Sequence, residues 1–363
     1  MIKLLVVDDS ALMRRLLAEV FSRDEGFELA VARDGHEALE RMVGFRPDVI
    51  TLDVNMPGMN GLETLDQIML LQPCPVVMLS SLTRHGADET LEALALGAVD
   101  FIAKPTGALS MQMETFAPAL MATVRAAATA RIRRTHRLAE RVRLKTRASV
   151  PAVTGPDLAP RPARSVASVG EIPGLVVIGA STGGPPALDA VLGGLGADLP
   201  WPVVVAQHMP ASFTGSLARR LDGLCPLRVI EAATPLRLEP GTVYIARGDA
   251  DMIIGRRKGG LSAMPAPQSD RFRWHPSVDR LMDSAMEALP AGRLAGVLLT
   301  GMGNDGARAM AALKAAGGWT IAESEETAVV WGMPGELVKA GGASVVADIG
   351  EVAAHLVTAV AER

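Results

Sequence analysis

The stretch Met1-Ile2-Lys3-Leu4-Leu5-Val6-Val7-Asp8-Asp9-Ser10 runs an apolar segment directly into two acids. The pattern it opens is then repeated along the chain. Residues 12–21 carry helical periodicity, and short apolar runs at 28–32, 49–52, 76–79 and 101–103 alternate with helical stretches at 37–43, 62–71 and 87–96. This alternation predicts a doubly wound parallel sheet, flavodoxin-like, over residues 1–118. It resumes further on, with strand-like runs at 175–178, 203–206, 243–245 and 296–299 and helical stretches at 186–192, 212–221, 278–289 and 307–316. The expected fold class is therefore α/β. A second doubly wound domain, Rossmann-like with three α/β/α layers, is expected over 174–363. A chain of 363 residues exceeds the usual size of one hydrophobic core, which agrees with this division.

Residues 119–173 are expected to connect the two. Pro118 stands where a first helical turn could begin, and the Ala- and Arg-rich sequence to residue 147 has high helix propensity but little apolar stripe, which predicts a solvated helix. Residues 149–173 change to Pro, Ala, Val, Ser and Gly without periodicity, the pattern of an extended linker.

Charge and cysteine usage exclude several classes of function. Residues 124–147 hold eight Arg and one Lys against Glu140, so a net charge of −4 leaves the rest of the chain strongly acidic. Such a body does not favour nucleic acid as a partner, which would have to bind through that one segment. The opening apolar run is too short for a signal sequence or membrane span, so a cytoplasmic protein without membrane insertion is expected. Cys74 and Cys225 lie far apart, each before a proline, with neither metal-ligand nor disulfide spacing.

In parallel α/β sheets ligands bind beyond the carboxyl ends of the strands. In the first domain those ends carry Asp8 and Asp9, Asp53, Ser80 and Lys104. Carboxylates converging in one cleft repel one another and require a hard divalent cation, and Mg²⁺ suits few carboxylates plus waters and phosphate oxygens. Asp53 is then the natural acceptor in phosphoryl transfer. Taken singly, each residue also reads as a turn acid, a loop hydroxyl or a surface amine. Taken together, Asp8-Asp9, Asp53-Val54-Asn55-Met56-Pro57-Gly58, Val77-Met78-Leu79-Ser80-Ser81 and Lys104-Pro105 resemble the response-regulator receiver family. The resemblance implies phosphorylation of Asp53, Mg²⁺ held by Asp8 or Asp9 with Asp53, Ser80 sensing the phosphate, Lys104 pairing with it, and Phe101 as the switch aromatic. It also implies a cis Lys104–Pro105 bond. Asn60 stands where the family more often has Asp.

In the second domain, Gly179-Ala180-Ser181-Thr182-Gly183-Gly184 comes directly after an apolar run. It reads equally as a nucleophile elbow or as a phosphate-cradling glycine loop. His208 ends the next strand and Asp305 lies just past a later one, so hydroxyl, imidazole and carboxylate all map to strand carboxyl ends, where a serine hydrolase needs them. The chain order Ser, His, Asp argues against the α/β-hydrolase superfamily. With Gln207-His208-Met209-Pro210, His275-Pro276-Ser277-Val278-Asp279 and Thr300-Gly301-Met302-Gly303-Asn304-Asp305-Gly306, the domain resembles the catalytic domain of the CheB methylesterases.

That resemblance implies hydrolysis of glutamate γ-methyl esters on methyl-accepting chemotaxis receptors, with deamidation of some glutamines, through an acyl-enzyme on Ser181. His208 is the implied base and Asp305 its orienter; backbone N–H groups near Thr182 and Met302 are the expected oxyanion donors, since both motifs bring glycine-flanked amides to the site. No cofactor is implied in this domain, and the CheA histidine kinase is the implied phosphodonor. The chain departs from the family at Trp274-His275, where His-Arg is usual, and at Glu323-Ser324, where Gln-Asp is usual. Two other readings stay open here: a non-catalytic response regulator whose second domain binds a partner, and the same hydrolase chemistry on another protein ester or amide.

Overall fold

The computed structural model describes residues 1–81, 83–105, 109–130, 172–257 and 260–362. Most of the basic segment 124–147 and nearly all of 149–173 fall outside them. The described residues belong to one compact unit.

The N-terminal part is a parallel sheet of β1 (Ile2–Val7), β2 (Phe27–Ala32), β3 (Val49–Asp53), β4 (Val76–Ser80) and β5 (Asp100–Ala103), in the order β2-β1-β3-β4-β5. Helices α1 (Ala11–Ser22), α2 (Gly35–Phe45), α3 (Gly61–Leu71), α4 (Arg84–Leu96) and α5 (Leu109–Ala128) link and flank the strands. Local chemistry starts them: Ser10, Asp34 and Thr83 cap α1, α2 and α4 through their side chains, and Asn60 with Glu63 forms a capping box on α3. Asn60 therefore has a structural task that Asp would perform equally well. β1 and β3 pair with Val7 opposite Leu52, so the next residues, Asp8 and Asp53, emerge side by side.

Two local expectations are corrected. Helix α5 begins at Leu109 and encloses Pro118, which does not open it. The reason is an apolar stripe: Phe116, Leu120, Val124 and Ala127 are buried in the core of the N-terminal part, and their burial outweighs the hydrogen bond that proline cannot donate. The Lys104–Pro105 bond is trans, the lower-energy isomer; among the described residues the cis bond is His275–Pro276.

The C-terminal part is built on seven parallel strands: β6 (Leu175–Ala180), β7 (Val203–Gln207), β8 (Arg228–Ala232), β10 (Thr242–Ala246), β13 (Leu294–Leu298), β14 (Trp319–Glu323) and β15 (Val345–Ala347). A small antiparallel sheet of β9 (Leu236–Arg237), β11 (Asp251–Arg257) and β12 (Gly260–Ala266) packs beside them. The helices are α6 (Gly184–Gly193), α7 (Ala211–Leu224), α8 (Val278–Ala288), α9 (Ala307–Ala315), α10 (Met333–Lys339) and α11 (Ile349–Ala361).

The order β15-β14-β13-β6-β7-β10-β8 places β6 at the point where the chain turns from one side of the sheet to the other. Such a switch point opens a crevice at the strand carboxyl ends, here between β6 and β13. Both strands are fully buried runs, as expected of parallel strands covered on both faces.

Candidate active site

Two clusters stand at carboxyl ends of strands, one in each sheet. In the N-terminal sheet, buried Asp8 and Asp53 and exposed Asp9 bring one carboxylate oxygen each within 4.8 Å of the others. Lys104, from the end of β5, reaches Asp8 Oδ2 at 2.8 Å and Asp53 Oδ2 at 2.7 Å. Burial raises the pKa of Asp53 despite the attraction of Lys104, and Asp8 pushes it further up. Burial acts to lower Lys104, but the two carboxylates prevail and its pKa is raised. An all-carboxylate set with one exposed member is the donor chemistry of a hard cation that keeps several waters, so these residues fit Mg²⁺.

Gly61 is required by this geometry, because a Cβ there would lie 2.2 Å from the Asp53 carbonyl oxygen. The Ser80 hydroxyl faces α4, bonded to the Gly86 carbonyl at 3.1 Å and to Thr90 Oγ1 at 2.7 Å. Phe101 packs on Phe213 of α7, ring centroids 4.3 Å apart.

In the C-terminal sheet, Ser181 comes immediately after β6. Its N–H donates to the Thr300 carbonyl at 3.0 Å, and its carbonyl accepts from Gly184 N at 2.7 Å and Gln207 Nε2 at 2.9 Å. The turn needs Gly183, which has φ +76° and no room for a Cβ against Val329. Helix α6 starts one residue later, so the Thr182 amide lies at its positive end. From β13, the loop through Thr300 to Asp305 comes so close that a Cβ on Gly301 would be 2.7 Å from Ser181 Cβ. Met302 is the next residue after Gly301 in the chain.

His208 ends β7, next to β6. Ala180 pairs with Gln207, and His208 N donates to the Ala180 carbonyl at 3.0 Å, so Ser181 and His208 leave adjacent strands abreast. The His208 Nε2 lies 2.9 Å from Asp305 Oδ2, whereas its buried Nδ1 has no hydrogen-bond partner among the described residues. Asp305 is held in turn by the start of α8: Oδ2 accepts from Val278 N at 2.7 Å, and Oδ1 from Ser277 Oγ and Asp279 N, each at 3.0 Å. Burial would raise its pKa, but the hydrogen bond and charge of His208, with these backbone donors, bring the net shift below the ordinary value.

Sequence reasoning selected Ser181, His208 and Asp305 but missed their supports. Trp274 stacks on His208 at 5.7 Å between centroids and 4° between planes. Buried Asp251 accepts from Ser277 N at 2.9 Å and pairs with His275 and Arg280, fixing the segment that cradles Asp305. Asp100, from the other sheet, accepts a hydrogen bond from Thr182.

Family models match the chain at two places: the CheB methylesterase model at residues 176–356 and the response regulator receiver domain model at residues 4–113. A protein-glutamate methylesterase/protein-glutamine glutaminase of Rhodopseudomonas palustris is 55% identical over 98% of this chain and 98% of its own. One from Rhodospirillum rubrum is 54% identical over 98% of this chain and 95% of its own. The solved CheB methylesterase catalytic domain of Thermotoga maritima is 39% identical, covering 51% of this chain and 97% of that one, with a TM-score of 0.49. Full-length identity of this order, spanning both sheets and both clusters, means that the chain belongs to the CheB methylesterase family, with a response regulator receiver domain ahead of the catalytic one.

Proposed function

We propose that the chain is a phosphorylation-controlled hydrolase that removes γ-methyl esters from glutamates of methyl-accepting chemotaxis receptors and deamidates some of their glutamines. The observation that carries the catalytic part is the use of the two imidazole nitrogens. Nε2 of His208 is committed to Asp305, which leaves Nδ1, buried and without a hydrogen-bond partner among the described residues, on the strand end beside Ser181. Ser181 Oγ attacks the ester carbonyl while Nδ1 takes its proton. Asp305 holds the tautomer that leaves Nδ1 free to accept. The amides of Thr182 and Met302 receive the negative charge that develops on the carbonyl oxygen. His208 returns the proton to the leaving methoxide, methanol departs, and water repeats the sequence to release glutamate. With a glutamine substrate the leaving group is ammonia.

In the receiver domain, Asp53 accepts the phosphoryl group from the CheA kinase, with Lys104 pairing with the phosphate and Ser80 and Phe101 responding to it. Asp8 or Asp9 with Asp53 would hold Mg²⁺, which when bound neutralises charge on the transferring phosphoryl oxygens. The unphosphorylated receiver covers the serine turn, in keeping with its contacts through Asp100 and Phe101. We take residues 1–118 as the receiver, 119–173 as the connection and 174–363 as the catalytic domain. No described helix is long and apolar enough to cross a membrane, which is consistent with action in the cytoplasm on the cytoplasmic part of a receptor.

The test is methanol release from methylated receptors with and without a small phosphodonor. Wild type should be stimulated and Ser181→Ala inactive under both conditions. Release by Ser181→Ala at the wild-type rate would reject the proposal.

A further inference from the structure

His208 needs more than one hydrogen bond to present Nδ1 to Ser181. The torsion that turns an imidazole about its Cβ–Cγ bond has a broad minimum and does not set the ring plane by itself. The bond from Nε2 to Asp305 is a weak brake on that rotation, because Nε2 lies nearer the rotation axis than Nδ1 does. Something else must fix the plane.

Trp274 has the geometry to do so. Its indole lies almost parallel to the imidazole, 4° between planes, and the 5.7 Å centroid separation is that of an offset stack. The indole is itself held on other sides. Gly303, at φ +89°, is the residue over which it lies, and a Cβ there would be 2.6 Å from Trp274 Cζ2. The Arg273 guanidinium stands 5.3 Å from the Trp274 ring. On the chain, the next residue is His275, paired at 3.1 Å with buried Asp251. A ring held this firmly can pass its orientation to a neighbour.

We infer that Trp274 is a positioning residue for the hydrolysis, setting through the stacked rings Trp274 and His208 the plane in which Nδ1 faces Ser181. The inference rests on the reading of His208 as the base. A flat aromatic face is the required property, rather than bulk or apolarity.

The experiment compares full-length Trp274→Phe and Trp274→Leu with wild type in methanol release from methylated receptors, with the thermal midpoint of each recorded. Leucine fills space but offers no plane. It should lower kcat about tenfold with KM within about twofold, while phenylalanine should stay within about threefold of wild-type kcat. A double-mutant cycle asks whether the effect passes through the imidazole: in a His208→Ala background, whose residual turnover has no ring to orient, Trp274→Leu should change nothing further. Equal kcat for leucine and wild type, a loss wholly in KM, or full additivity with His208→Ala would each overturn the inference. If the leucine variant does not fold, the cycle with Trp274→Phe decides, since any phenylalanine effect must likewise vanish without His208. Should His208→Ala itself keep wild-type activity, it is the proposed function that fails.

Discussion

Thr182 Oγ1 donates a 2.5 Å hydrogen bond to Asp100 Oδ2, joining the residue after the proposed nucleophile to the first residue of the last receiver strand. Asp100 keeps part of its surface in solvent, but its carboxyl is enclosed by protein. Burial raises its pKa to about 6, although the bonds from Thr182 and from its neighbour Phe101 pull it down. An acid raised in the docked arrangement and ordinary when released binds its proton more tightly when docked. Docking is then strengthened as pH falls below about 6, and this contribution is lost as pH rises through that value. Unstimulated methanol release by wild type, divided by that of Asp100→Asn, should increase between pH 5 and pH 7, by at most about tenfold. A flat ratio would show that Asp100 does not titrate on undocking.

The ring pair Phe101 and Phe213 is the apolar counterpart of that contact. Phe101→Ala removes it and should raise unstimulated methanol release about fivefold while shrinking the ratio of stimulated to unstimulated rates. Steady-state rates with and without phosphodonor check both parts.

Asp305 accepts from three protein groups besides His208, and two of them are backbone amides. An asparagine at this position would set an N–H against N–H donors and lose the charge that complements imidazolium. Asp305→Asn should lower kcat by about a thousandfold or more and also reduce the thermal midpoint, since buried donors lose their acceptor. A variant with intact stability and only a slight loss of kcat would deny Asp305 its role.

Removing divalent cations should abolish acquisition of a phosphoryl group from a small phosphodonor, because Asp8, Asp9 and Asp53 converge without a cation to separate their charges. Intact-mass measurement with and without chelator reads this directly. Asp53→Asn should keep unstimulated esterase activity and lose stimulation, and stimulation retained in this variant would place the control elsewhere.

The sheets and both clusters were legible because parallel strands buried on both faces are continuous apolar runs, and because their ends carried acids, lysine, serine and histidine. Some elements were hidden for local reasons. Strands β11 and β12 contain Gly255 and Pro265, residues that weaken a strand signal, and Gly255 is there to admit Met264 against the backbone. The start of helix α5 is masked by Pro118, whose local signal for a first helical turn conflicts with the apolar stripe that buries the helix around it. Supports such as Asp251 under His275 and Arg280, or Asp100 against Thr182, join residues that no local pattern relates. Such pairs are set by tertiary packing alone.

The most direct measurement is the mass of full-length protein quenched with acid during turnover of a methyl-ester receptor peptide. The account predicts a fraction of the enzyme carrying the peptide acyl group, heavier by the peptide less methanol, with the adduct on Ser181 and none in Ser181→Ala. Continued methanol release by Ser181→Ala, or an adduct on another residue, would contradict it.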